Sequence, residues 1–108
     1  MTMKRIMLVC SAGMSTSLLV TKMEKAAEAR GMEADIFAVS ASEADAKLND
    51  AENPVDVLLL GPQVRFMKAQ FDEKLAGKNI PLEVIDMKDY GMMNGESVLD
   101  TAITLMDQ

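Results

Sequence analysis

The chain has 108 residues, of which 49% are hydrophobic and 26% are charged, and its formal net charge is −6 at pH 7. This length and composition fit one folded domain over residues 1–108 and exclude a disordered tail. The acidic balance argues against nucleic acid and anionic membrane surfaces as partners. No apolar run approaches the ~20 residues that span a bilayer, and nothing resembles a secretory signal.

The chain contains no histidine and a single cysteine, Cys10. An internal disulfide is therefore excluded, as are Cys–His or Ser–His catalysis and phosphohistidine chemistry within one chain. Without histidine or further cysteines, no metal site is expected. A lone cysteine without a secretory signal predicts a reducing, cytoplasmic location. Any covalent chemistry is expected at the Cys10 thiol.

The first predicted element is a central strand. Residues 6–9 form a continuous apolar run, which is typical of a strand covered on both faces. A loop at 11–15 and a helix to about Arg30 follow, with Ser11 or Ser15 as a candidate cap. The inner face of this helix is predicted from helical spacing at Leu19, Met23, Ala26 and Ala27.

The rest of the chain continues the alternation of strands and helices. Strands are predicted at 34–39, 55–60 and 82–85, and a loop at 86–95. Helices are predicted at 42–48 with a capping box from Ser42, from 64 to an end at Gly77, and around 99–106. This β-α-β-α-β-α-β-α order predicts an α/β fold: a single-domain, open, parallel four-stranded sheet with helices on both faces.

Ligands of such sheets bind beyond the carboxyl ends of the strands. We therefore expect Cys10, Ser40, residues 61–63 and Asp86 to share one rim. After Cys10, a loop of small residues leads into a helix, so backbone N–H groups and the helix N-terminus are expected to form an anion site. A thiol on the floor of that site would lose its proton readily and act as a nucleophile.

The predicted phosphate loop directly follows the cysteine. Its residues are Ser11, Ala12, Gly13, Met14, Ser15, Thr16 and Ser17. The nucleotide P-loop is excluded because it requires G-x-x-x-x-G-K-[ST]. The cysteine phosphatase pattern, Cys-x5-Arg-[Ser/Thr], is closer, but Thr16 stands where the arginine belongs. A weaker cradle favours a carrier that hands the phosphoryl group on.

Two alternatives stay open at this point. One is a phosphatase-like or reductase-like enzyme, for which Asp86 is the available acid. The other is a non-catalytic α/β interaction module, in which Cys10 is an ordinary core residue and 11–13 an ordinary turn.

Four stretches together resemble a known family. They are residues 9–20 (VCSAGMSTSLLV), 57–63 (VLLLGPQ), 83–86 (EVID) and 90–91 (YG). They are similar to the IIB component of the bacterial phosphoenolpyruvate-dependent sugar phosphotransferase system, of the lactose/cellobiose/chitobiose type. The similarity runs from about residue 4 to the C-terminus.

The resemblance implies a transferase component that carries phosphate on Cys10. It implies a phosphohistidine on a IIA protein as the donor, and a β-glucoside-type disaccharide on the membrane permease IIC as the acceptor. Because phosphohistidine is already activated, no cofactor or metal is expected. The carrier would dock to the permease from the cytoplasm without entering the membrane.

Three further residues are predicted to face a partner: Pro62, Gln63 and Tyr90. The alternatives are a solvated helix-start residue for Gln63 and an exposed loop aromatic for Tyr90. Of the eleven methionines, Met14, Met92 and Met93 are the surface candidates.

Overall fold

The computed structural model describes residues 4–10, 14–49, 52 and 54–106, with only the backbone described at 14–16. The elements in this part of the chain are β1 (Lys4–Cys10), α1 (Met14–Ala29), β2 (Ala34–Ser40), α2 (Ala41–Leu48), β3 (Val57–Leu60), a 3₁₀ helix (Pro62–Met67), α3 (Lys68–Leu75), β4 (Leu82–Val84), α4 (Met87–Gly91) and α5 (Gly95–Met106). The predicted alternation of strands and helices is confirmed.

The four strands form one parallel sheet in the order β2-β1-β3-β4. β1 is central: Cys10 pairs with Ser40 of β2, and Val9 pairs with Leu60 of β3. All the carboxyl ends therefore lie at one edge, as predicted for a site built from several strand ends.

Alternating residues of β1 face two separate hydrophobic clusters. Ile6 and Leu8 pack on one side with residues of α1 and α5, whereas Met7 and Val9 pack on the other with residues of α2 and α3. Full burial of each such side chain contributes about 1.5–3 kcal/mol. This two-sided burial explains the unbroken apolar run and confirms helices on both faces.

The predicted inner faces of α1 and α5 meet on one side of the sheet. Leu19, Met23, Ala27, Leu99 and Ala102 are buried there, and Ala26, Ile103 and Met106 pack partly buried against them. Gly95 allows the close approach of α5, since a Cβ at this position would lie 2.5 Å from the Lys22 carbonyl carbon.

The segment 86–95, predicted as a loop, contains the short helix α4. Asp86 is its N-cap, and Oδ1 accepts hydrogen bonds from the Lys88 N–H at 2.8 Å and the Asp89 N–H at 3.4 Å. Five residues span little more than one helical turn, so no apolar periodicity announces such a helix.

The helix predicted from residue 64 is two helices. Val64 has φ −116° and ψ 22°, which interrupts regular helix, and the α-helical part begins at Lys68. Pro62 lies at the start of the 3₁₀ segment, where its missing N–H costs nothing.

The capping box predicted at Ser42 is wrong. α2 begins at Ala41 with Ser40 as its N-cap, and the Ser40 side chain makes no capping hydrogen bond. Its Oγ lies 3.0 Å from Ser42 Oγ instead. The strand bounds also shift, since β3 begins at Val57 and β4 ends at Val84. Of the predicted α1 caps, Ser11 lies outside the described residues and the Ser15 side chain is not described.

Within the described part of the chain, no helix is both long and apolar enough to cross a membrane.

Candidate functional site

Cys10 is the last residue of the central strand. It is a free thiol and only 2% exposed. Ser40 lies beside it on β2, and Gly61 follows directly after β3 on the other side. The sheet therefore places Cys10 among three strand ends, where the sequence predicted the rim of the site.

The predicted phosphate loop is only partly described. Ser11, Ala12 and Gly13 lie outside the described residues, and Met14, Ser15 and Thr16 form the first turn of α1. Ser17 is exposed, and its carbonyl accepts a hydrogen bond from Thr21 Oγ1 at 3.2 Å. α1 begins four positions after Cys10, and its first turn carries no acidic residue that would compete with a bound anion. The amide cradle itself stays a prediction.

Gly61 shapes the space beside Cys10. Its N–H donates to the Val9 carbonyl at 2.8 Å, which extends the pairing of β3 with β1 by one residue. A Cβ at this position would lie 3.6 Å from Cys10 Cβ and 2.9 Å from Gln63 Oε1. The missing side chain thus leaves a gap next to Cys10, and the end of the Gln63 side chain reaches into it.

The three residues predicted to face a partner line one groove. Its volume is about 600 Å³, and its walls are Pro62, Gln63, Arg65, Phe66, Met87, Tyr90 and Gly91. We call this the carboxyl-edge groove, because its two walls come from the segments that follow β3 and β4. Phe66 is 75% exposed and Met87 62% exposed, so the groove presents apolar surface to the solvent.

Tyr90 is not an exposed loop aromatic, which corrects one of the alternatives. It lies in α4, is 9% exposed and packs in the cluster with residues of α1 and α5. Pro62 is also buried, whereas Gln63 is exposed. Met92 is exposed as predicted, Met93 is half-buried against the core, and the Met14 side chain is not described.

Sequence reasoning missed Arg65, Phe66 and Met87 as a group. The first two are on the 3₁₀ helix and Met87 is on α4, more than 20 positions along the chain. No periodic signal connects residues on two such short elements. The exposure of Phe66 would have pointed to this surface, but the sequence does not reveal which apolar side chains stay exposed after folding.

Asp86, the candidate acid of the phosphatase alternative, is the N-cap of α4. Its carboxylate caps α4 through two backbone N–H groups. Among the described residues, no three His, Cys, Asp or Glu side chains come together to hold a metal ion.

The fold and the position of Cys10 define a small parallel α/β protein whose candidate site lies at the carboxyl edge of the sheet. The family model for "PTS system, Lactose/Cellobiose specific IIB subunit" matches residues 5–101. The chain therefore belongs to this family, and it is a phosphotransferase component of the sugar phosphotransferase system. The resemblance stated from the sequence is confirmed.

Three relatives from two genera are similar over almost the whole chain. The galactose-specific EIIB component of Lactococcus lactis subsp. cremoris and the cellobiose-specific EIIB component of Lactococcus lactis subsp. lactis are each 51% identical over 105 residues, covering 96% of this chain and 97% of the relative. The oligo-beta-mannoside-specific EIIB component of Bacillus subtilis is 45% identical over 104 residues, with the same coverage.

Two solved structures share the fold. The cellobiose-specific phosphotransferase IIB component from Borrelia burgdorferi has a TM-score of 0.78 at 42% identity, covering 98% of this chain and 94% of its own. The lactose-specific IIB domain from Streptococcus pneumoniae has a TM-score of 0.79 at 12% identity, covering 95% and 97%. At that identity the second likeness shows the fold alone.

Proposed function

We propose that Cys10 carries a phosphoryl group between two partners. It accepts the group from a phosphohistidine of a IIA protein and passes it to a hydroxyl of a β-glucoside-type disaccharide held by the IIC permease. Residues 1–108 act as one carrier domain that docks to the permease from the cytoplasm. The observation that carries the proposal is the position of this lone cysteine, in a member of the IIB family, at the carboxyl end of the central strand.

The two transfers balance without a cofactor. In the first, the Cys10 thiolate forms an S–P bond as the N–P bond of phosphohistidine breaks, and the bond's electron pair stays on the imidazole nitrogen. That nitrogen takes a proton in place of the one the thiol released. In the second, a sugar oxygen forms an O–P bond as the S–P bond breaks, and the hydroxyl proton returns to the sulfur.

The site suits this chemistry because phosphoryl transfer needs mainly positioning and charge stabilisation. The N-terminus of α1, with no carboxylate in its first turn, offers a favourable end of a helix dipole. The phosphoryl group adds about −1.5 to −2 charge near neutral pH, which inward-facing amides of the loop 11–17 would bind.

The carboxyl-edge groove supports a docking role for Pro62, Gln63 and Tyr90. It begins one residue after Gly61, which lies next to Cys10. A partner that reaches the sulfur must cover this edge of the sheet. Exposed Phe66 and Met87 supply the kind of aromatic and methionine surface that protein interfaces favour.

The burial of Cys10 is the specific observation in favour of the alternative, a non-catalytic interaction module with an unreactive thiol. Alkylation separates the two. If Cys10 is a nucleophile, iodoacetamide modifies it at neutral pH in the folded protein. If modification requires denaturant, the module is favoured.

The decisive experiment is the intact mass of the protein after incubation with phosphoenolpyruvate, the general phosphotransfer proteins and a IIA protein of the lactose/cellobiose type. We expect a gain of one phosphate in the wild type and none in Cys10→Ser, which should fold normally because serine is smaller and of similar shape. An unmodified wild type beside phosphorylated IIA, or a phosphorylated Cys10→Ser, would contradict the proposal.

A further inference from the structure

We propose that the Gln63 side-chain amide donates a hydrogen bond to the phosphoryl group on Cys10, and that Gly61 is a glycine so that this amide can reach it. The inference rests on the proposed function. It makes Gln63 a phosphoryl-binding residue as well as a wall of the carboxyl-edge groove.

Gly61 and Cys10 lie on the same face of the sheet. Leu60 pairs with Val9, so Gly61 comes next to Cys10 across the sheet. Along the two strands, Ile6 and Leu8 face the same cluster as Val57 and Leu59. By alternation, Cys10 and Gly61 belong to that same face, which is the face that α1 covers.

The end of the Gln63 side chain lies at the place that a Cβ of residue 61 would occupy. Gln63 Oε1 lies 2.9 Å from the point where a Cβ of residue 61 would be, and Cys10 Cβ lies 3.6 Å from that point. The carboxamide of Gln63 and the side chain of Cys10 therefore converge on one place. A half-turn about the last side-chain bond puts Nε2, with two N–H donors, where Oε1 now lies.

The backbone holds Gln63 in this orientation. The Val64 N–H donates to the Gly61 carbonyl at 3.0 Å, which closes a tight turn around Pro62 and Gln63. Pro62 fixes one φ angle of the turn. Within the described part of the chain, the Gln63 carboxamide makes no hydrogen bond, so its donors are available to a ligand.

The loop after Cys10 lacks the arginine of the cysteine phosphatases. A cysteine phosphatase loop places an arginine six residues after the cysteine, and this chain has Thr16 there. The neutral carboxamide of Gln63 supplies two N–H donors. Its hydrogen bonds are about half as strong as those from a charged guanidinium group. An amide at this place would orient the phosphoryl group and still allow it to leave, which is what a carrier requires.

The reaction consumes nothing from Gln63. The amide keeps both protons, and the bonds that form and break are the S–P, N–P and O–P bonds described above.

The test uses the full chain and the IIA protein phosphorylated on its histidine, in single-turnover transfer at several IIA concentrations. For Gln63→Ala we expect the maximal transfer rate to fall about tenfold, the scale of losing one neutral hydrogen bond in a transition state. Gln63→Glu should lose more, because its carboxylate repels the phosphoryl group. Gln70→Ala removes another exposed glutamine, on α3, and should match the wild type.

Gly61→Ala gives the second measurement. The φ of Gly61 is −64°, which alanine adopts freely, and its methyl group would displace the Gln63 side chain. The rate should fall as in Gln63→Ala, and the double variant should be no slower than either single one. If Gly61→Ala does not fold, the Gln63 variants still decide the question.

A direct readout separates binding of phosphate from docking of IIA. In the wild type, phosphorylation of Cys10 should shift the NMR signals of the Gln63 side-chain NH₂ group, whereas those of Gln70 should stay in place. Wild-type maximal rates in both Gln63 variants, a change confined to the half-saturating IIA concentration, or unshifted Gln63 signals would overturn this inference and leave phosphorylation of Cys10 standing. Failure of the wild type to accept phosphate would overturn both.

Discussion

The two ends of the sheet each carry a cavity of about 600 Å³, but the walls of the two cavities differ. The amino-end cavity is lined by Lys4, Asp56, Asn79, Ile80, Pro81, Leu105 and Met106. Polar groups near it bind each other: Asp56 Oδ2 accepts from the Arg5 N–H at 2.8 Å, and Arg5 Nε donates to Asp35 Oδ2 at 3.2 Å. Arg5 also lies over the Phe37 ring, at 4.8 Å.

The carboxyl-edge groove has the opposite character. Its exposed apolar side chains, Phe66 and Met87, have no core to join, and the Gln63 amide reaches toward Cys10. In the amino-end cavity the Asp56 carboxylate is already hydrogen-bonded, whereas Phe66 and Met87 of the carboxyl-edge groove are exposed to the solvent. The proposed function therefore belongs to the carboxyl edge, where the groove begins beside Gly61 and Cys10.

The largest effect is expected at the amino end of the sheet, where a substitution of Asp56 should lower the stability of the fold. Asp56→Ala leaves the half-buried Arg5 N–H without its acceptor, which should lower the free energy of unfolding by about 1–3 kcal/mol. Phosphoryl transfer per folded molecule should not change. Urea denaturation and the transfer assay measure the two quantities.

Asp56→Asn is the matched control, because its amide oxygen can still accept from Arg5, and it should lose less. A slower transfer in Asp56→Ala, measured where the protein is fully folded, would show that the amino end also takes part in function.

The next effect is expected at the carboxyl edge, where a substitution should change the interaction with IIA and leave the stability of the fold almost unchanged. Phe66→Ala should change the free energy of unfolding by no more than ~0.5 kcal/mol, because Phe66 is exposed. The IIA concentration giving half-maximal transfer should rise about tenfold if Phe66 is an interface anchor.

Met92→Ala is the control for exposed apolar surface outside the groove, since Met92 is 66% exposed and does not line it. If Phe66→Ala and Met92→Ala both have the half-saturating IIA concentration of the wild type, the docking surface lies elsewhere.

The smallest effect is expected at the exposed ion pair that joins the end of α1 to α5. Arg30 Nη1 lies 2.6 Å from Asp100 Oδ1, and this hydrogen bond raises the pKa of Arg30 above its ordinary value. The stabilisation from this ion pair is complete when the pH is below the ordinary pKa of arginine. It is lost only when the pH rises through the raised pKa of Arg30. Asp100→Asn should therefore give the same slight fall in urea midpoint at pH 6 and pH 9.

A difference between the two pH values would mean that another titrating group contributes to this pair. A large fall at both would mean that the exposed ion pair contributes more than such pairs usually do.

The order and type of the main elements followed from sequence because each leaves a local signal. The run at 6–9 indicates a strand buried on both faces, and the spacing of Leu19, Met23 and Ala27 indicates one face of a helix. Gly61-Pro62 marks the end of β3. The shorter elements were missed because a helix of five residues, such as α4, is stabilised by its Asp86 cap and its packing rather than by periodicity.

For the site, the sequence indicated Cys10 and the rim. It also indicated Pro62, Gln63 and Tyr90 as partner-facing residues, but it could not show that the three lie close together in space. It could not reveal that Tyr90 packs into the core or that Phe66 stays outside. Both outcomes depend on which neighbours the sheet order brings to each side chain.

The amino-acid sequence by itself determined the class of fold, the family and the lone cysteine that is the candidate carrier, because alternating apolar patterns and a single cysteine are local features of the chain. Only the tertiary structure decided that Gly61 lies beside Cys10, that Gln63 fills the gap and that the groove opens at the same edge. These facts depend on the pairing of β1 with β3, which joins residues about 50 positions apart, and contacts at that separation leave no periodic trace in one sequence.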